Sequence, residues 1–299
     1  MLRIVFNFCN LPLLAPRTCA RLFLLVGIAC GLSACAWLDA KQRELVFRPT
    51  PGAPADFKGL RPGDLSFATS VPGAEPGTRD SVQMWWLPHA NAQAPTLLYL
   101  HGTFRNLYQN VQKIDALREA GFSVLAVDYR GWGDSSRIVP SEATIYADAD
   151  LAWAELARRQ ADPRKRVIYG HSMGGGVAVE LASRKKHGSD YGALILESTF
   201  TRAYDVAAAA GWLARLAALF STQKFDSIGK IAKVDAPVLM LHGDADTTVP
   251  VALGRQLRDA APSGTRWVEI AGGSHSQLQS DAPAVYQQAL KTLLDRLPR

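Results

Sequence analysis

From residue 95 onward the chain alternates short apolar runs with stretches of helical spacing, and few folds accept that pattern. Thr96–Leu100, Ser123–Val127, Arg166–Tyr169, Ala193–Leu196, Val238–Leu241 and Arg266–Ile270 read as strands. Between and after them, Leu107–Ala120, Ile145–Arg159, Met173–Lys185, Val251–Ala260 and Ala282–Arg296 read as helices. Strands apolar on both faces and separated by helices imply a largely parallel sheet covered on both sides. In such sheets ligands bind at the carboxyl ends of the strands, so chemistry is expected in the residues that follow each run. With 299 residues, 48% of them hydrophobic, the chain can bury one large core of this kind.

The part before residue 95 is less regular. Residues 48 to 80 are rich in Pro and Gly and read as a looped lead-in, with short strands expected at Glu44–Phe47 and Leu65–Ser70 and another at Ser81–Leu87. Residues 1 to 21 hold Arg3, Arg17 and Arg21 and no acid, and residues 22 to 34 are an apolar run. A basic flank before about 13 apolar residues has the proportions of a secretory signal and is short for a membrane span. The run ends in Leu32-Ser33-Ala34-Cys35, which resembles the bacterial lipobox, whose cysteine becomes a lipidated mature N-terminus. The resemblance implies a signal over 1–34, acyl chains on Cys35 and an anchored linker over 35–43. Ala36 after the cysteine, rather than Asp, implies the outer membrane of a Gram-negative envelope, facing the periplasm.

All four cysteines lie at or before Cys35, so residues 36 to 299 offer no disulfide, thiol nucleophile or thiolate metal site. Net charge is +6, but without the three arginines of the leader 30 basic residues face 27 acidic ones. A net of +3, without a basic stripe interleaved with aromatics, gives no reason to expect a nucleic-acid partner. The run Arg184-Lys185-Lys186-His187 follows a helical stretch and reads as a solvated helix end, favourable near the negative pole of the macrodipole.

One strand end is distinctive. Arg166–Tyr169 runs into Gly170-His171-Ser172-Met173-Gly174, then Gly175-Gly176 and a helix. This is G-x-S-x-G in its strand–turn–helix setting. The turn lifts the Ser172 hydroxyl above the sheet, the flanking glycines avoid clashes, and the following helix points its positive end at the site. From about residue 44 to the end the sequence resembles the α/β-hydrolase superfamily, in its small-cap, serine-aminopeptidase-like branch. The resemblance implies an α/β-hydrolase fold over 44–299, with a mostly parallel central sheet, helices on both faces and a small helical cap at about 201–236. It also implies a triad in the order Ser, Asp, His, and no metal or organic cofactor.

A serine hydroxyl is a poor nucleophile at neutral pH and needs a base. Of six histidines, His89 and His187 sit in polar surroundings, and His101 and His242 precede a Gly at a strand end. His171 flanks the nucleophile, which leaves His275, in the loop after the last strand, where the family carries its base. Leu241-His-Gly-Asp-Ala-Asp246-Thr-Thr-Val-Pro250 resembles the family's H-G-x-x-D-x-x-V-P and makes Asp246 the expected acid, with Asp244 and Glu197 as rivals. Asp244 reads as a bonder of loop amides and Asp128 as structural. Oxyanion donors are expected from the backbone of Met173 and of Thr103, the latter in His101-Gly-Thr-Phe-Arg-Asn106, which resembles H-G-N-x-x-N with Thr in place of Asn.

Ala203–Phe220 reads as one helix with Val206, Trp212, Leu213, Leu216, Leu219 and Phe220 as its larger apolar residues. It is expected either to pack on the fold or to line an acyl pocket. Together these features point to a serine hydrolase acting on a small-molecule acyl substrate, a carboxylic ester or thioester, and anchored to a membrane through Cys35. Acyl transfer or peptide cleavage through the same triad, and a non-catalytic binding role, are the other readings.

Overall fold

The computed structural model describes residues 37–73 and 76–298. Eight strands make one sheet in the order β1-β2-β4-β3-β5-β6-β7-β8. They are β1 (Leu65–Pro72), β2 (Arg79–Leu87), β3 (Thr96–Leu100), β4 (Ser123–Asp128), β5 (Arg166–His171), β6 (Ala193–Glu197), β7 (Val238–Gly243) and β8 (Arg266–Ile270). β1 and β2 pair antiparallel with each other, and β2 with β4. From β4 through β3 to β8 every pairing is parallel. Each of the six apolar runs after residue 95 is one of these parallel strands.

The sheet separates two cores because successive side chains point to opposite faces. Leu98, Leu100, Ile168, Leu194 and Leu196 face one core, closed by α2 (Glu142–Arg159) and α3 (Met173–Ser183). Leu97, Tyr99, Tyr169, Ala193 and Ile195 face the other, closed by α1 (Val111–Glu119) and α8 (Pro283–Leu294). The helix α2 starts where Ser141 accepts a hydrogen bond from Thr144 N and Thr144 Oγ1 accepts one from Ser141 N, a reciprocal cap that satisfies two orphan donors.

The strand expected at Glu44–Phe47 is helical instead. Arg48 N donates to Glu44 O at 3.0 Å, a helical i to i−4 bond, and Pro49 cannot extend it. Of this segment Phe47 is buried, edge-on to Trp132 and Phe225. A single anchored side chain, with Leu45 71% exposed, gives no two-residue alternation for a sheet to use. The one helix expected over Ala203–Phe220 is two, α4 (Ala203–Ala210) and α5 (Trp212–Leu219). Gly211 divides them at φ +133°, a backbone conformation open to glycine. Neither helix has a fully buried residue: Ala203 and Val206 of α4 pack partly buried against the core, while the large apolar side chains of α5 are exposed. Between α6 (Val251–Ala260) and the C-terminal α8 lies the short α7 (Leu278–Asp281).

The core beneath the carboxyl ends of β5 and β6 holds a charged cluster. Lys113 of α1 is buried and donates to Glu197 Oε1 and, at 3.0 Å, to Gln279 Oε1. Glu197 Oε2 accepts from Tyr169 at 2.5 Å and from Tyr286 at 3.0 Å. Burial pulls the Lys113 ammonium down and Glu197 pulls it back only in part, while burial and then Glu197 push the Tyr169 hydroxyl well up. The ion pair is buried and both partners are hydrogen-bonded to further side chains. Glu197→Ala, which strands the Lys113 charge, is expected to cost about 3–5 kcal/mol in urea unfolding. Lys113→Met on top of it should recover part of that loss.

Candidate active site

The chain leaves β5 at His171 and turns sharply into α3 through Ser172, whose φ is +55° and ψ −121°. A non-glycine residue in that region is held against its preference. The holding contacts are explicit. Ser172 N donates to Glu197 O at 2.9 Å, Gly175 N donates to Ser172 O at 2.9 Å, and Thr199 Oγ1 donates to Ser172 O at 3.0 Å. The glycines are required by space. A Cβ on Gly170 would come 2.2 Å from Gly174 O, and one on Gly174 would come 2.0 Å from Leu100 O.

The structure brings Ser172, His275 and Asp246 together. His275 Nε2 lies 3.0 Å from Ser172 Oγ and His275 Nδ1 lies 2.7 Å from Asp246 Oδ2. With Nδ1–H donating to the carboxylate, Nε2 is left to accept the serine proton. Asp246 is fixed on its other side, where Oδ1 accepts from Thr248 N and Val249 N, each at 2.8 Å. His242 Nε2–H donates to Val249 O at 2.9 Å and lies 3.3 Å from Asp246 Oδ2. Burial pushes the Asp246 carboxyl up, but the hydrogen bonds from His242 and His275, the His275 charge and the Val249 amide together hold it well below the usual carboxylate range.

The rival acids have other employment. Asp244 Oδ1 accepts from Gly272 N at 2.7 Å, which ties the β7 loop to the loop that carries His275. Glu197 faces the buried cluster. Asp128 Oδ1 accepts from Leu107 N at 3.0 Å and lies 3.4 Å from His101 Nε2. His171 is also placed: its Nε2–H donates to His275 O at 3.0 Å. Burial first, then the Lys113 and His275 charges, hold its imidazole well below the ordinary histidine range, which suits a neutral donor. Thr199, His171 and His242 thus steady the site, and sequence spacing does not single them out for it. His242 stands in the same loop motif as Asp246, which is the one available signal.

Of the two expected oxyanion donors, Met173 follows the serine directly and Thr103 lines the cleft together with His275. Met173 opens α3, so its N–H is among the first four of that helix and has no acceptor within it. Gly102, just before Thr103, lies so near that a Cβ there would approach Ser172 Cβ to 3.0 Å. A cleft of about 270 Å³ is lined by Gly102, Thr103, Phe104, Arg105, Asn110, His171, Thr248, His275 and Ser276. Its lining includes one cation, Arg105, and no carboxylate. Among the described residues no group of three or more His, Cys, Asp or Glu is arranged to hold a metal ion. Cys35 lies outside the described residues.

A fold of this order with a strained serine between β5 and α3 defines an α/β hydrolase, and comparison with known proteins agrees. The family model described as serine aminopeptidase (S33) matches residues 92–228. An uncharacterized protein of Mycobacterium tuberculosis is 31% identical over 254 residues, 83% of this chain and 85% of that protein. The lysophosphatidylserine lipase ABHD12 of Danio rerio is 34% identical over 192 residues, 59% of this chain and 50% of that protein. Among solved structures, the Pyrococcus furiosus esterase Pf2001 superposes with a TM-score of 0.64 over 83% of this chain and 98% of its own, at 16% identity, a likeness of fold. The chain belongs to the α/β-hydrolase family.

The depressed Asp246 carboxyl has a stability consequence. Its folded pKa lies below its unfolded value, so the stability it contributes is full above the unfolded pKa, about 3.9, and is lost as pH falls through the folded one. Wild-type protein should exceed Asp246→Asn in urea midpoint at pH 7. That advantage should narrow as the pH of the titration is taken from 5 toward 2.

Proposed function

We propose that this protein is a serine hydrolase that cleaves carboxylic esters through an acyl-enzyme. The observation that carries the reading is the continuous hydrogen-bonded line from Ser172 Oγ through His275 to Asp246, at 3.0 and 2.7 Å. In this mechanism Ser172 Oγ attacks the acyl carbonyl while His275 Nε2 takes its proton. Asp246 holds the ring in the tautomer with Nδ1–H and stabilises the imidazolium that forms. The backbone N–H groups of Met173 and Thr103 receive the oxyanion, donors whose individual loss costs about 2.7–4 kcal/mol in comparable sites. His275 then gives its proton to the departing alcohol. It next takes a proton from water, which attacks the acyl carbon, and returns that proton to Ser172 Oγ as the acid leaves.

The absence of a carboxylate from the cleft lining speaks for esters over peptides with a free α-amine, which such a group would hold. Arg105 in that lining favours a substrate with an anionic group nearby. The lipase named above makes a lysophospholipid the first ester to assay. On the envelope side, the leader and Cys35 support a lipid-anchored protein held at the membrane that its lipobox implies, facing the periplasm.

Ser172→Ala is expected to abolish labelling by a fluorophosphonate and to lower ester turnover by at least about 10⁴-fold, with thermal unfolding nearly unchanged. Labelling that persists at another residue would sink the assignment of the nucleophile. Cys35→Ser should let a high-salt wash, which strips peripheral contacts, move the protein from the membrane fraction to the soluble one. Retention in the membrane fraction would remove the acyl anchor from this reading.

A further inference from the structure

The cap is built inside out. In α5 the side chains of Trp212, Leu213, Leu216 and Leu219, with Phe220 just beyond, recur at the spacing of one helical face, which in a soluble protein would be turned inward. Here that face is outward: Trp212 is 73% and Phe220 79% exposed, and Leu213, Leu216 and Leu219 are each at least half exposed. The half-buried positions of the helix are Ala214 and Ala218. Four large apolar side chains on one short helix, with Phe220 after it, exceed the scattered exposure that a protein surface carries as a matter of course.

We infer that this outer face of α5 docks on an anionic phospholipid bilayer. Three observations select that occupant. The face lies on a single outward-turned helix and its Phe220 extension, which suits insertion into an interface better than reception of a peptide. Its charge is complementary. Arg215 and Lys224 are exposed and hydrogen-bonded to neutral oxygens, Tyr204 Oη and Ser221 O. The cap's three acids are engaged at home, Asp205 by Thr201, Asp226 by Arg202 and Asp235 by the His187 amide. Finally, the cap adjoins the place where the chain enters the domain, for Phe47 packs on Phe225 with ring centroids 6.0 Å apart. The chain that arrives there carries the apolar run 22–34. The inference stands on the cap surface and not on the ester chemistry proposed above.

The test reads local contact with lipid, since the tether alone would hold the full-length protein on vesicles. The full chain is mixed with vesicles of equal phosphatidylglycerol and phosphatidylcholine, brominated near the top of the acyl chains, and tryptophan emission is recorded. The part of the emission lost in Trp212→Ser should be quenched by roughly half or more, as for a side chain seated at the acyl boundary. It should be quenched less on pure phosphatidylcholine or in 0.5 M NaCl, where the Debye length falls to less than half of its value of about 10 Å at 0.1 M. Leu213→Asp/Leu216→Asp, which keeps Trp212, should lose the quenching while its urea midpoint holds. Equal quenching in wild type and Trp212→Ser would overturn the inference. So would a dimer in sedimentation velocity that persists on vesicles and dissociates in the double variant, since a second copy would then be the occupant. Quenching with no ester turnover would sink the catalytic proposal and leave this one standing.

Discussion

The site rests on one constrained turn. Ser172 occupies a backbone conformation that a side chain disfavours, and it is kept there by three hydrogen bonds and by two glycines with no room for a methyl group. Three of the partners in that arrangement come from different strand ends: Leu100 from β3, Gly170 from β5, Glu197 from β6. The turn therefore exists because the parallel sheet aligns these ends. Displacing any of the three strands along its axis would remove a contact that the serine needs. Strain of about 1–3 kcal/mol at such a residue persists only where its surroundings over-determine it, and these do.

Behind the turn lies a second layer whose logic is electrostatic. Glu197 uses its backbone oxygen to hold Ser172 and its side chain to hold Lys113, Tyr169 and Tyr286. Lys113 reaches on to Gln279, four residues past His275. The serine loop and the histidine loop are thus referred to the same buried ion pair. On the far side His242 and two backbone amides fix Asp246, and His171 fixes the His275 carbonyl. Each of the three groups in the hydrogen-bonded line is held by contacts outside that line.

Much of this was legible in the residues, for reasons that differ by element. Buried parallel strands announce themselves because both faces are apolar, and Thr96–Leu100 matches its expected bounds to the residue, as do the helix Val251–Ala260 and the half-buried edge strand Arg266–Ile270. Ser172 stood out by its glycine-flanked turn, whereas Asp246 and His275 were singled out by the resemblance of their loops to those of the α/β-hydrolase superfamily. What escaped was set by tertiary context. Glu44–Phe47 is too short to declare a period, and its one buried ring could serve helix or strand. The apolar spacing of Trp212 to Phe220 gave the helix but not the direction it faces, because periodicity identifies a stripe and not its partner. Lys113 looks like any helix lysine until α8 and β6 close over it.

The three groups of the line sit far apart along the chain: Ser172 and His275 are separated by 103 positions, and the imidazole lies beyond β8, the last strand of the sheet. During synthesis residues 172 and 246 therefore leave the ribosome before residue 275 does. The hydrogen-bonded line can close only once the chain beyond β8 is in place, so the site is assembled with the last edge of the sheet.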